Sequence, residues 1–427
     1  MAVTQDLPFI TKGLKLRAQI AYDSESYLKE IRKVLPEMYY ASGRTVDGTL
    51  IMRKVVDAQT ATYNKDEESQ WNKLHFESTL NYDRAFGDHR VGGLVYYYMS
   101  SYQSTWCDIH GYNCNVNVDN VPKRYQGLSG RLTYGFRDTY MIDLNFGYTG
   151  SENFQKGRRF GFFPSVALGW VPTNYDFVRE TLPWLSFLKI RGSWGSVGND
   201  RITNKRFPYL TIMNENANKG WNGSNGVTEQ SVGADNLQWE KAIKLDLGIE
   251  GKLFNEQVDF TVDFFRDTRN DIFQQRTMVP DYIGLAEQPF GNVGSMVSYG
   301  ADGNISFRQD IGKDFSFTLR GNFTYTANMV KNWEEAFQKY SYQERADKPY
   351  EFYSGYIALG LFRDENDVKF SPDQSGIAGR KVLPGDIKYK DVNGDGVINS
   401  DDQVPLSYKA NYPRLMYGFG GEVRWKN

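Results

Sequence analysis

The segment Asp391-x-Asn393-x-Asp395-Gly396-Val397-Ile398-Asn399-x-x-Asp402 is the clearest set of metal-capable oxygens in this 427-residue chain. It fits the twelve-position calcium loop. Asp391, Asn393 and Asp395 offer side-chain oxygens at the first, third and fifth positions, Val397 a backbone carbonyl at the seventh, Asn399 the ninth and Asp402 a carboxylate at the last. Calcium is a hard ion that collects oxygens, and alternate residues of a turning loop can converge on it while Gly396 permits the sharp turn and Ile398 anchors the loop. A structural Ca2+ is therefore one expectation. The other is a surface loop closed by Asx turns, its side-chain oxygens bonded to its own backbone.

Other chemistry is sparse. His75, His89 and His110 are the three histidines, and none has a second ligand at zinc spacing. Cys107 and Cys114, the two cysteines, flank His110; three soft ligands are too few for a closed zinc site, whereas an even, local cysteine pair suits a disulfide in an oxidising compartment. Neither a nucleophile elbow nor a phosphate-cradling glycine loop is present. Carboxylates such as Asp143, Asp246, Asp259 and Asp263 recur on the polar side of alternating segments, where a water-filled channel accounts for them more simply than a glycosidase pair. No catalytic residue is expected. With 50 Lys+Arg against 52 Asp+Glu the net charge of −2 sets up no field for nucleic acid.

The elements around these residues read as strands. Aromatics make up 15% of the chain, and flat or branched side chains suit a pleated surface. Mean hydropathy is −0.58, and no apolar run reaches the ~18 residues of a helical membrane span. A membrane barrel is compatible with both facts, because its strands show lipid only at every second residue. Leu128, Leu132, Tyr134 and Phe136 alternate with Ser129, Arg131 and Thr133; Ile243, Leu245, Leu247 and Ile249 alternate with Lys244, Asp246 and Glu250; Val258, Phe260, Val262 and Phe264 alternate with Asp259, Thr261 and Asp263. The same grammar runs through 13–22, 71–83, 89–101, 140–148, 161–170, 186–196, 299–309, 315–327 and 415–426. About twelve strands of about 10 to 13 residues result, near the ~9–11 of membrane-crossing strands. Trp170, Trp184, Trp194, Trp239 and Trp425 flank strands, as girdle aromatics or as core or edge aromatics of a soluble sheet.

The connections alternate in length. Short ones lie at 85–88, 137–139, 254–256 and 310–314, long ones at 23–70, 102–125, 197–240, 268–298 and 328–414. Short turns on one rim and long loops on the other are the habit of outer-membrane barrels. The connection 171–185 is longer than a tight turn, and its 176–180 segment predicts a short helix.

Several segments resemble the SusC/RagA family of TonB-dependent transporters. They are Phe9-Ile10-Thr11-Lys12-Gly13-Leu14, Phe163-Pro164-Ser165 with Gly169-Trp170, Leu185 to Gly195 followed by Gly198-Asn199, Asn236-Leu237-Gln238-Trp239-Glu240, and Pro384 to Gly396. Two places depart from the family pattern: Tyr148-Thr149-Gly150-Ser151 lacks a charged pair, and Ser298-Tyr299-Gly300 replaces an Asn-x-Gly. The resemblance implies an all-β fold, an antiparallel transmembrane β-barrel of about 22 strands, of which residues 1–427 would be the C-terminal part and 328–414 a long extracellular loop. It further implies the outer membrane of a Gram-negative bacterium, with lipid around the barrel, import of an oligosaccharide or peptide, a SusD-like surface lipoprotein, and TonB acting through a plug. The leaderless start, the missing plug and TonB box, and the ending Trp425-Lys426-Asn427 lead us to expect further sequence outside this chain. Tyr112, Trp221 and Tyr340 are loop aromatics that could meet ligand or the lid. A soluble secreted β-rich module, carbohydrate-binding or hydrolytic with a structural calcium loop, is the alternative, and a passive porin or adhesin a third.

Overall fold

The computed structural model describes residues 1–104, 121–201, 206–216, 226–234, 236–285, 287–312, 314–408 and 412–426. Cys107, Cys114, His110, Tyr112 and Trp221 lie outside them, and with them the expected disulfide.

Thirteen strands among the described residues form one sheet in which every strand is bonded to its neighbours in sequence. They are β1 (Ala2–Asp6), β2 (Leu14–Lys33), β3 (Thr62–Phe86), β4 (His89–Ser104), β5 (Lys123–Phe136), β6 (Tyr140–Ser151), β7 (Phe160–Trp170), β8 (Leu185–Asn199), β9 (Glu240–Leu253), β10 (Val258–Gln275), β11 (Phe290–Ile311), β12 (Phe315–Asn332) and β13 (Leu415–Trp425). Those from β2 onward are the expected strands, and β6 to β13 pair antiparallel, with Leu247 opposite Phe264 and Ile305 opposite Gly321. Local chemistry sets the turns: Arg137 and Asp138 take φ of 52° and 51°, and Phe254, Asn255 and Glu256 take 55°, 54° and 66°, the left-handed backbone that tight hairpins require. Strand lengths depart from expectation, since β3 runs for 25 residues and β11 for 22. Pairing continues well past the length a bilayer needs, so parts of the expected loops are strand.

The chain divides into two compact units. One comprises Met1–Thr4, Arg17–Ser78 and Tyr97–Gln126. It contains lengths of β2 to β5 together with an exposed hairpin, Met38–Arg44 paired with Leu50–Val56. The other comprises Gln5–Leu16, Thr79–Tyr96 and Gly127–Asn427.

Within the second unit the sheet has two unlike faces. Leu132, Leu168, Leu245, Leu247, Phe264 and Leu319 all stand exposed on one face, Leu247 at 50% and Phe264 at 51%. A continuous apolar surface of this extent marks a membrane or a large interface. Trp170, Trp184, Trp194 and Trp425 are exposed, as girdle residues should be, but Trp239 is only 6% exposed. It belongs to a core instead, because apolar neighbours and a carbonyl partner for its N–H are both within reach. The predicted short helix is present at Asp176–Thr181, after a 3-10 turn Pro172–Asn174 whose Thr173 accepts from Leu188 N at 3.1 Å.

Residues 333–408, expected as loop, fold on themselves. Tyr353–Gly355 pairs with Val404–Ser407 and Ala358–Leu361 with Ile387–Tyr389, with helices Glu365–Lys369 and Ser375–Ala378 between. Phe362, Val382 and Ile398 are the buried apolar side chains of this lobe, and Gln374 and Asp402 are buried as well. Among the described residues no helix is long and apolar enough to cross a membrane.

Candidate functional site

Three constellations in the second unit carry polar chemistry. The first follows from strand alternation, which puts Asp246 and Glu250 of β9 and Asp263 of β10 on the face opposite Leu247 and Phe264. Arg191 of β8 reaches all three: Nε donates to Glu250 at 2.8 Å, one terminal nitrogen to Asp246 at 3.1 Å and the other to Asp263 at 2.7 Å. Gly248 lies opposite Arg191 and makes this possible, because a Cβ there would come 2.6 Å from the guanidinium carbon. Lys189 adds a contact to Glu250 at 3.5 Å and Lys244 one to Asp267 at 2.7 Å. On β5 and β6, Arg131 holds Asp143 at 3.0 and 3.2 Å, and Asn145 donates to the same carboxylate at 2.9 Å. Charges held in such networks on one face, with exposed apolar side chains on the other, describe a wall between water and an apolar phase.

The second constellation ties long connections to strand ends. Phe154, Ala234, Leu237 and Trp239 form a buried cluster joined by Phe163, Phe273 and Phe290. Trp239 lies 4.9 Å from Phe154 and 5.3 Å from Phe163, and its Nε1 donates to the Arg159 carbonyl at 3.3 Å. Glu240, also buried, accepts from Asn199 Nδ2 at 2.8 Å and from Phe273 N at 2.8 Å. Asn292 bridges neighbouring segments by donating to the carbonyls of Gln238 and Asp271 at 2.9 and 2.8 Å. The segments that resemble SusC/RagA at Phe163, Asn199 and Leu237 to Glu240 thus meet in one place, the root of the long loops. Sequence reasoning missed Phe154, Phe273 and Asn292, for which no periodic signal exists.

The third is the predicted calcium loop. Asp391 accepts from Gly394 N at 2.7 Å and Gly396 N at 2.8 Å; Asn393 and Asp395 accept from the N–H groups two residues on, both at 2.9 Å. Asn399 accepts from Asp401 N at 2.7 Å, and buried Asp402 from Val392 N at 2.8 Å and Asn399 N at 2.9 Å. Among the described residues, no three His, Cys, Asp or Glu side chains gather as a metal-holding group. These bonds lace the loop with Asx turns, with Asp402 bonded to two of its N–H groups and Val397 exposed.

The lobe around this loop is fastened electrostatically. Lys388 holds Asp367 at 2.7 Å and Arg380 holds Asp386 at 2.7 Å, and each pairing keeps its carboxyl below the usual range. Asp373 is lowered in turn by the backbone N–H of Ser375. Lys339 pairs with Asp401 at 3.0 Å while Tyr340 stacks on Tyr342 at 5.2 Å, so Tyr340 packs within the lobe. Glu334 links the lobe to the end of β10 through Arg276 at 2.5 Å.

The family described as "TonB dependent receptor-like, beta-barrel" matches residues 10–425. TonB-dependent receptor P3 of Formosa agariphila is 26% identical over 82% of this chain and 37% of its own length. TonB-dependent receptor SusC of Bacteroides thetaiotaomicron is 27% identical over 70% of this chain and 29% of its own. A solved structure of the RagAB peptide transporter superposes over 97% of this chain and 45% of the other with a TM-score of 0.65 at 20% identity, a likeness of fold. The chain thus spans less than half the length of these relatives. The exposed apolar face and these matches set the soluble secreted module aside. The chain therefore belongs to the TonB-dependent receptor-like β-barrel family, is similar within it to SusC and RagAB, and resides in the outer membrane of a Gram-negative bacterium.

Proposed function

We propose that this chain is part of the barrel wall of an importer driven through TonB, which takes up oligosaccharides or peptides beneath a SusD-like surface lipoprotein. The observation that carries the reading is the two-faced sheet: Leu247 and Phe264 exposed outward, Arg191 clamping Asp246, Glu250 and Asp263 inward. Such a face, wet and charged, would line a passage. An open sheet edge in hydrocarbon leaves unpaired backbone groups that cost several kcal/mol each, so β13, bonded in this sheet only to β12, would be covered by further strands of a barrel of about 22. The folded lobe 333–408 would stand at the outer mouth, where a lipoprotein lid would meet it.

Uptake of labelled oligosaccharides and peptides by cells expressing the complete protein tests this directly. Uptake should vanish when TonB is deleted, and equal uptake without TonB would leave only a passive porin.

We also propose that the Asp391–Asp402 loop accepts a calcium ion on its outward side. Ionised carboxylates have about four lone-pair sites each, so Asp391 and Asp395 keep acceptor capacity beyond their backbone bonds. Calorimetry on the complete protein at millimolar calcium decides it: heat lost in Asp391→Asn supports the site, and no heat in the native protein removes it.

A further inference from the structure

The connection between β7 and β8 is longer and better fastened than joining two strands requires. β5 passes to β6 through Arg137 to Thr139 alone, whereas β7 ends at Trp170 and β8 starts at Leu185, although Ile190 pairs directly with Trp170. Val171 N donates to Thr139 O at 2.9 Å, Asn174 Nδ2 to Asp138 O at 3.1 Å and Arg179 Nε to Thr173 O at 2.7 Å. With Val171, Pro172 and Thr173 buried, the segment is held in one shape and presents its remaining side chains at fixed positions.

Aromatic contacts show which way it turns. Tyr140 pairs with Trp170 and Ile142 with Leu168, all four exposed on the apolar face of the wall. The Tyr140 hydroxyl bonds to that of Tyr175, whose ring lies 5.6 Å from that of Phe177 on the helix Asp176–Thr181. The aromatic line therefore leaves the apolar face and runs onto the connection, which curls toward that face and not beneath the polar one. With about 3.6 residues per turn, Asp176, Phe177 and Glu180 share one side of the helix, and half-buried Val178 points back. Phe177 is 67% exposed. At the same rim Trp184 and Phe254 are exposed, their rings 6.4 Å apart.

Exposed rings of this kind gain most where one side is apolar and the other wet, which is the headgroup level of a bilayer. Continuity with the lipid-facing wall at Tyr140 and Trp170 brings that level to the helix. Outer-membrane barrels turn their short connections to the periplasm, so the lipid met there is that of the periplasmic leaflet. Charge then selects among headgroups. Asp176 and Glu180 flank Phe177 and make no ion pair among the described residues, while Arg179 of the same helix is bonded to Thr173 O. Carboxylates repel a headgroup whose only charge is phosphate, and accept charge-assisted hydrogen bonds from one that ends in a primary ammonium.

We propose that the connection 171–184 is an interfacial anchor: Phe177 seats in the periplasmic headgroup layer, and Asp176 and Glu180 hold the ammonium of phosphatidylethanolamine. This needs the wall to stand in a bilayer and is independent of what is imported. The test uses the complete protein with Cys107→Ser and Cys114→Ser, and with Thr181→Cys carrying a fluorophore on the same side of the helix as Phe177. It is placed in phosphatidylcholine liposomes with equal parts of phosphatidylethanolamine and phosphatidylglycerol, one or the other bearing a nitroxide near the top of its acyl chain. The label should be quenched by lipid and shielded from aqueous iodide, with phosphatidylethanolamine about twofold more effective, the scale of an exposed ion pair. Asp176→Asn with Glu180→Gln should remove that preference, Phe177→Ser should weaken quenching by both lipids, and all variants should keep the heat-dependent gel shift of a folded barrel. A label open to iodide and untouched by lipid, one shielded from both as beneath a protein partner, equal quenching by the two lipids, or a preference that survives loss of both carboxylates would overturn the anchor. A Leu247→Cys label in the same liposomes separates the causes. Lipid quenching there with failure at the helix strikes the anchor alone, and loss of lipid quenching at both strikes the wall.

Discussion

The strands β8 to β12 and the lobe 333–408 are neighbours in sequence that solve the same problem in opposite ways. The strands leave Leu245, Leu247, Phe264 and Leu319 exposed and bury little, so their apolar side chains reach a favourable environment only when lipid is present. The lobe turns inward. Phe362, Val382 and Ile398 are removed from water by the lobe's own backbone, and Gln374 spends its amide on Ile387 O at 2.7 Å and Tyr389 N at 3.2 Å. One region is held by its surroundings and the other by its contents, so they should respond to different perturbations.

Substitutions sharpen the contrast. Phe362→Ala should cost the lobe about 3–5 kcal/mol, the range for emptying a buried aromatic site, and proteolysis within 333–408 should accelerate while the gel shift of the barrel persists. Loss of that shift would mean that lobe and wall fold as one. Leu247→Arg lies near the middle of a membrane-length stretch of β9 and should destabilise the barrel by about 2–4 kcal/mol in bilayers, read by urea unfolding in liposomes. A mild or absent penalty there would place β9 outside hydrocarbon. Asn199→Ala leaves the buried Glu240 carboxylate one donor short, at a cost of about 1–3 kcal/mol, and hydrogen exchange should rise at Phe273 and along the loop roots.

Acid should separate the regions most gently. Asp367, Asp373 and Asp386 are held below their ordinary range in the folded lobe. Their contribution is therefore fully present above the unfolded carboxylate value of about 3.9 and is lost as pH falls below it through the depressed folded values. Cleavage of the lobe by an acid-active protease should quicken between about pH 4 and pH 2, and a rate independent of pH there would contradict this ordering.

The wall was legible because period-two alternation is a local signal: Ile243 to Glu250 and Val258 to Phe264 announce a strand pair without knowledge of anything distant. The predicted helix at 176–180 was legible for a similar reason, in a connection too long for a turn. Residues whose partners lie far along the chain were not. Trp239 reads as a girdle residue beside a strand, yet Phe154 and Phe163, some 80 residues away by its bond to Arg159, draw it into a core. The lobe was hidden likewise, since Phe362, Val382 and Ile398 follow no period and only tertiary closure joins them. Spacing alone offers Asp402 as a ligand and gives no sign that its carboxylate also accepts from Val392 N and Asn399 N of its own loop.

Depth-dependent quenching tests the central claim most directly. In the complete protein reconstituted in liposomes, with Cys107→Ser and Cys114→Ser as background, single cysteines at Leu247, Phe264 and Leu319 should carry labels quenched by lipid-borne quenchers and shielded from aqueous ones. Labels at Asp246 and Asp263 should show the reverse. Equal aqueous quenching at both sets would contradict a wall with hydrocarbon on one side and water on the other.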